Sequence, residues 1–488
     1  MTTRYFHSVT LDKEKCRGCT NCIKQCPNEA IRVREGKARI LEERCIDCGE
    51  CIRICPNHAK LAVTDTLEKL SEFKYSIALP APSIYGQFEP GVSIEEVLRA
   101  FIDIGFDDVF EVALAAEAVT YATRRFLENY RGSRPLISSA CPAVVRFIQI
   151  HFHSLLDHIV PIDTPMEVAG AMAKAWAEQA LGLKKEEVGV FFISPCPAKV
   201  TAIKQPVMKE KSNVDGAISI SLLYGLLSKR VSTQMKTKGV GCSTHLAGKK
   251  ETEEESHGKE GHHREGWVDL VRPLRGDNPF LSTGRGIGWG RAGGEAQALG
   301  GWSILTVDGI HNVRGVLEQV ERKKLLGIDF IEAQACTGGC VGGCLTVQNP
   351  FVARVRLRVL AEQHWNKRPA LDEDCLDNLI AAGAFTTKKV EPRPVMALDE
   401  DVARAIAKMD ILEKTVKELP GLDCGACGSP NCRTLAEDIV RGIALETDCT
   451  FKLRERVKAL AEEMADLAGK IPPAMGLEKT GGESSEGK

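Results

Sequence analysis

Two stretches near the N-terminus, CRGCTNCIKQCP at residues 16–27 and CIDCGECIRICP at 45–56, repeat one spacing, C-x2-C-x2-C-x3-C-P. Three closely spaced thiolates can hold three irons of one cubane. The fourth, turned away by the proline after it, ligates the neighbouring cluster. This predicts one 4Fe–4S cluster on Cys16, Cys19, Cys22 and Cys55, and a second on Cys45, Cys48, Cys51 and Cys26. Paired C-x2-C also suits tetrahedral zinc, but eight cysteines in this doubled order favour iron, and with it electron transfer. Near the other end, Cys424, Cys427, Cys432 and Cys449 run C-x2-C-x4-C-x16-C, the first three on a Gly/Pro-bent loop and the last on the helix that follows. Four soft ligands suit a further 4Fe–4S cluster, with zinc a more serious competitor here.

Four more cysteines fall where strand-like runs end: Cys141 in SSACP, Cys196 in ISPCPAK, and Cys336 with Cys340 in QACTGGCVGGC. Loops at the carboxyl ends of parallel strands converge on one crevice, so distant segments can bring four thiolates together. Gly338, Gly339, Gly342 and Gly343 let backbone approach a bulky inorganic group and aim N–H groups at its sulfurs. Ordinary buried cysteines are the alternative reading, and composition does not separate the two.

The elements that would position these thiols alternate. YSIALPAPS, PLISSACP, VGVFFISPCP and GIDFIEAQAC contain strand-like runs, whereas VLRAFIDIGF, EVAGAMAKAWAEQALG and GAISISLLYGLLSK are helical patterns. Such alternation predicts an α/β domain with mostly parallel sheets over 71–385. A ferredoxin-like α+β unit over 1–70 precedes it. A linker and a small α-rich 4Fe–4S domain follow over 386–450, then a helix and polar tail over 451–488. A charged insert, about 245–266, interrupts the central block, and its His245, His257, His262 and His263 read as a solvated loop rather than a metal site. In the last helix, Leu453, Val457, Leu460, Met464 and Leu467 alternate four and three apart, a short heptad seam. Two heptads are marginal alone. The seam therefore packs on its own domain, forms a homodimer or meets a signalling partner.

Lys plus Arg is 64 and Asp plus Glu is 66, so no basic field points to nucleic acid. The polar N-terminus has no signal-peptide core, and no run approaches the roughly 18 apolar residues of a membrane span. With the 19 cysteines clustered rather than spread, they read as metal ligands in a cytoplasmic protein rather than as disulfides. Cys242 and Cys375 remain as structural thiols.

The doubled motif resembles bacterial two-cluster ferredoxins. The C-terminal one resembles the small 4Fe–4S domain of corrinoid iron–sulfur proteins and of a subunit of membrane-bound ferredoxin oxidoreductase complexes. The three central loops resemble the signature loops of the di-iron (FeFe) hydrogenase catalytic domain, and the N-terminal clusters match that family's usual accessory domain. The resemblance covers about residues 1–385. It implies an H-cluster, a 4Fe–4S cubane joined to a di-iron subcluster carrying CO and cyanide, with Cys141, Cys196, Cys336 and Cys340 as cubane ligands and Cys340 as the bridging thiolate. Lys199 would hydrogen-bond a cyanide, a charge-assisted contact, and the loop Pro80, Ala81, Pro82 and Ser83 would touch the cyanides too. The implied partners are H2, protons, and a ferredoxin or other redox protein.

The departures from that pattern bear on rate. Ala140 stands where fast hydrogenases have a proton-relaying cysteine, and a methyl group transfers no proton. Loss of a positioned acid–base group costs about 10²–10⁴ in rate. Ala202 replaces a glutamate expected to continue the relay, Ser194 and Gln334 stand where methionines are usual, and Cys344 ends the Gly-rich loop in place of a glycine. These changes resemble the sensory branches of the family, where slow chemistry suffices to report hydrogen, and Cys344 is a candidate substitute proton route. The competing expectation is a non-catalytic relative of iron–sulfur assembly proteins, holding only cubanes.

Overall fold

In the computed structural model the described residues are 6–240, 281–381 and 383–470. The insert histidines and Cys242 lie outside them, as does the polar tail beyond 470. The chain divides into two compact units: Met1–Arg17, Gln25–Ala30 and Ile40–Met396 in the first, Gly18–Lys24, Ile31–Arg39 and Ala397–Lys488 in the second. These boundaries differ from composition boundaries at 70 and 385. The N-terminal Cys-rich stretch contributes to both units.

The first unit contains two parallel sheets. One has the order Asp108–Val109, Tyr75–Pro80, Val188–Ser194, Gly216–Ser219. Its two middle strands pair in parallel from Tyr75 with Val188 to Pro80 with Ile193, and every residue of both is buried. Strands covered on both faces read as continuous apolar runs, which is why YSIALP and VGVFFIS show no alternation. The second sheet has the order Ile304–Asp308, Phe330–Gln334, Leu136–Ile137, again all parallel. Two of these seven strands, Asp108–Val109 and Ile304–Asp308, have no counterpart among the strand-like runs of the sequence. GAISISLLYGLLSK also differs from its helical reading, because Gly216–Ser219 pairs with Phe191–Ser194 before the helix Ile220–Val240 begins. All four of those strand residues are buried, and the sheet edge supplies the hydrogen bonds that a helical start would have made internally.

Helix starts coincide with ligand positions. Cys141 and Cys196 are the N-cap residues of Pro142–His151 and Pro197–Lys204. Each is followed by proline at the first helical position, where no N–H is missed and the backbone angle is already helical. A thiolate at a helix N-terminus is also favoured by the unsatisfied N–H groups there. Cys375 is buried in the apolar core with Leu371, Leu376 and Leu379, as a structural thiol should be.

The second unit packs Leu412, Leu419, Leu435, Ala436 and Cys449 into a small core, with Cys427 and Cys432 against it. Arg32 and Asp438 form a buried bidentate pair, Nε to Oδ2 at 2.5 Å and Nη2 to Oδ1 at 2.9 Å. Arg34 and the Ser429 hydroxyl also donate to Asp438. Satisfying each lone pair is what makes such burial tolerable. The helix Thr450–Gly469 buries none of its residues, and Leu453, Val457, Leu460, Met464 and Leu467 are all exposed. Packing of the seam onto its own domain is therefore absent among the described residues.

Candidate active site

Cys196 leaves the first sheet at the end of Val188–Ser194. Cys141, Cys336 and Cys340 leave the second, after Leu136–Ile137 and Phe330–Gln334. The site therefore lies where strand ends of two sheets meet, not at one crevice of one sheet. Every thiol of the four lies within electrostatic reach of the other three. Burial pushes Cys196 up to about 11 and Cys336 up to about 12, each raised further by the neighbouring thiols. A thiol cluster in which burial disfavours ionisation at Cys196, Cys336 and Cys340 is what an iron–sulfur group stabilises, since the metal holds the thiolate form outright.

Lys199, in the first turn of Pro197–Lys204, reaches toward Cys340 with Nζ 3.8 Å from Sγ. Burial acts against its charge, but Cys340, Cys196, Cys141 and Cys336 together hold it above its ordinary value. Beside Cys340 and Cys141 opens a cavity. Ala81, Pro82, Ser83, Ala140, Lys199 and Gln334 line it. Pro80 instead ends its strand opposite Ile193. Ser194 is also absent from the lining: its hydroxyl donates to Cys196 O at 2.8 Å and accepts from Cys196 N at 3.3 Å, so it braces the ligand loop.

Two lining residues test whether a polar group fits this cavity. Ser83 Oγ and Gln334 Oε1 are buried without a hydrogen-bond partner. An unsatisfied buried oxygen costs about 1–3 kcal/mol, and an occupant offering polar contacts removes that cost. Gly290 brings its backbone against the Ser83 loop: a Cβ there would stand 2.6 Å from Ser83 N, so only glycine permits the approach.

Residues that sequence reasoning missed complete the lining. Glu295, 3% exposed, accepts a hydrogen bond from Ser138 Oγ at 2.7 Å, and both line the cavity. Burial and the nearby Glu332 carboxylate hold Glu295 well above the usual carboxylate range. Burial likewise pushes Glu332 up to about 7, although it accepts from Gly293 N and Ala296 N, each at 2.8 Å. The glycine-rich run GRGIGWGRAGGEA was the available signal for Glu295.

The N-terminal ligand prediction can be followed within the first unit. Cys26 lies within electrostatic reach of Cys45 and Cys48, as does Cys51, so the fourth cysteine of the first motif joins three of the second. Cys26 Sγ accepts from Ala30 N and Cys55 Sγ from Ala59 N, each at 3.3 Å, the same turn used twice. Cys16 and Cys55 belong to the first unit, Cys19 and Cys22 to the second. Within the second unit Cys427 lies close to Cys424 and Cys449, and Cys432 packs on the same core.

Residues 74–344 match the family described as iron only hydrogenase large subunit, C-terminal domain. The chain belongs to this hydrogenase family. Residues 8–56 match a 4Fe-4S dicluster domain and 419–451 a further Fe-S cluster family. Among relatives of this hydrogenase-family chain, the periplasmic [Fe] hydrogenase large subunit of Nitratidesulfovibrio vulgaris is 26% identical over 365 residues, 69% of this chain and 86% of that protein. A probable cytosolic Fe-S cluster assembly factor of Drosophila mojavensis is 21% identical over 388 residues, 75% of this chain and 79% of that one. The solved [FeFe]-hydrogenase HydA1 from Chlamydomonas reinhardtii superposes with a TM-score of 0.45 at 15% identity, over 66% of this chain and 95% of its own. Among the described residues no helix is long and apolar enough to cross a membrane.

Proposed function

We propose that this chain is a slow hydrogenase that splits dihydrogen reversibly at a six-iron H-cluster and reports or passes on the electrons. The observation that carries this reading is the cavity beside Cys340 with Lys199 in its wall. A protein holding only a cubane needs the four thiols, but gains nothing from an ammonium in the wall of a cavity with two unsatisfied oxygens. Relatives among both hydrogenases and assembly factors make that distinction the deciding one.

When bound, the cofactor polarises dihydrogen and stores its electrons. Cys141, Cys196, Cys336 and Cys340 would hold the cubane, and Cys340 lines the cavity. Lys199 offers N–H donors to anionic ligands there, a contact strengthened by its exclusion from water. Ala140 and Ala202 offer no proton carrier. The acid–base group lining the cavity is instead Glu295, with Ser138 beside it: the hydroxyl passes its proton to the carboxylate and takes one from the cavity. Cys26, Cys45, Cys48 and Cys51 would hold a further 4Fe–4S cluster, which would supply an electron path toward a ferredoxin or other redox protein.

Infrared spectroscopy tests the reading directly. After maturation, bands of bound CO and cyanide are expected; their absence from protein with its cubanes intact would favour the assembly-type alternative. Replacing Ala140 by cysteine should raise hydrogen turnover about tenfold, below the 10²–10⁴ range for a fully restored acid–base group because Ala202 still lacks a carrier. Turnover assays of matured protein check this, and an unchanged rate would place the limit elsewhere.

A further inference from the structure

The second Cys-rich motif carries more than ligands. Arg53 ends the short helix Glu50–Arg53 and points out of the ferredoxin-like segment into the Gly-rich loop of the hydrogenase domain. Its Nη2 donates to Gly342 O at 2.7 Å, and its Nη1 bonds the Glu50 carboxylate. The thiols that feel its charge are Cys336 and Cys344, on the hydrogenase side. Arg53 is also the foremost charge opposing burial at Cys336. At Cys45 and Cys48, by contrast, the foremost influences after burial are Asp47 and Cys26.

Cys344 closes the same passage. Its Sγ occupies the space where a Cβ on Gly49 would stand, with the Pro197 ring alongside. Gly49 has a left-handed φ of 77° and is the residue between Cys48 and Glu50. The thiols in reach of Cys344 are Cys336 and Cys196 on one side and Cys51 on the other. The two motifs are therefore in direct contact beside Arg53, whose side chain is 32% exposed and held by the Gly342 carbonyl and the Glu50 carboxylate.

We propose that Arg53 is a positioning residue that sets the reduction potential of the cluster bound by Cys336 relative to that of the cluster on Cys26, Cys45, Cys48 and Cys51. This rests on the reading that Cys141, Cys196, Cys336 and Cys340 hold an iron–sulfur group. A fixed cation beside an anionic cluster favours its reduced form. In the step concerned, one electron leaves the reduced cluster at Cys336 and enters the oxidised cluster at Cys51. No bond changes, and no proton moves at Arg53, because a guanidinium does not deprotonate in proteins. The charge thus makes electrons dwell at the hydrogenase side, where two must be held during each turnover.

The test uses the full chain with its cubanes reconstituted and no di-iron maturation. Redox titration followed by electron paramagnetic resonance reads each cluster's potential, and iron and sulfide are counted alongside. For Arg53→Gln, the Cys336 cluster should fall relative to the other by about tenfold in the one-electron equilibrium, ~59 mV. Arg53→Lys, which keeps the charge, should retain most of the separation. A separation unchanged in Arg53→Gln with full iron content overturns the proposal. If Arg53→Gln loses iron, the lysine variant decides: a separation lost there too, despite the kept charge and full iron, also overturns it. Cys336→Ala checks the underlying reading on its own, since an unchanged iron count in that variant would mean that no cluster sits there.

Discussion

Replacing Glu295 by glutamine lowers hydrogen turnover of the matured protein about 10²–10⁴-fold, the range for loss of a positioned acid–base group. Glutamine keeps the size and can still accept from Ser138 Oγ, now 2.7 Å from the carboxylate, so packing is preserved while proton uptake is lost. Iron content and the infrared bands should therefore be unchanged, which separates a relay role from a structural one. The pH profile supplies a second signature. Glu295 lies well above the usual carboxylate range and Glu332 at about 7, both through burial, and the two carboxylates influence one another. Their titration belongs to the pair. Hydrogen oxidation needs the ionised acceptor, so it should rise as pH climbs through the raised range in which this buried pair titrates. Proton reduction needs the protonated form and should fall over the same interval. In Glu295→Gln that inflection should disappear; a profile with the same inflection and rate would remove Glu295 from the proton route.

Replacing Asp47 by asparagine destabilises the first unit by about 3–5 kcal/mol, the cost of breaking a buried charge pair from one side. Asp47 is fully buried. It accepts from Ser8 N and Val9 N, each at 3.1 Å, and from Thr201 Oγ1 at 2.8 Å, with the fully buried Arg146 guanidinium 3.9 Å away. Asparagine presents one oxygen and an NH2 group where two oxygens now accept, and it leaves the Arg146 charge without its partner. Denaturant unfolding, followed by a far-UV signal, measures the loss. Thr201 lies on the helix that carries Lys199, so one carboxylate ties the N-terminal strand Val9–Leu11 to the element that aims the lysine. Lys199 should lose its fixed position along with the stability, readable as broadened cyanide bands. An unfolding curve within 1 kcal/mol of the original would show the network to be redundant.

Spacing is informative where chemistry is local. In C-x2-C-x2-C-x3-C-P the chain itself limits which thiolates reach one cluster, and Cys26 does stand with Cys45 and Cys48. The loops after VGVFFIS and FIEAQ were placed correctly because buried parallel strands leave uninterrupted apolar runs and end abruptly at polar, Gly- or Pro-bearing turns. Ser194 illustrates the limit. Its type suggested altered polarity around the cofactor, yet its hydroxyl is taken up by the Cys196 peptide, a choice made by backbone geometry that no spacing reveals.

What the amino-acid sequence determined by itself, then, is the inventory: which cysteines are spaced as ligands, which strands deliver them, and that Ala140 and Ala202 cannot carry protons. The tertiary structure alone decided that two sheets rather than one surround the site, that Glu295 lines the cavity from a segment far along the chain, and that Arg53 of one motif lies against the loop of another. Those outcomes depend on long-range packing, where a carboxylate or guanidinium gains its role from burial and neighbours rather than from its place in a local pattern.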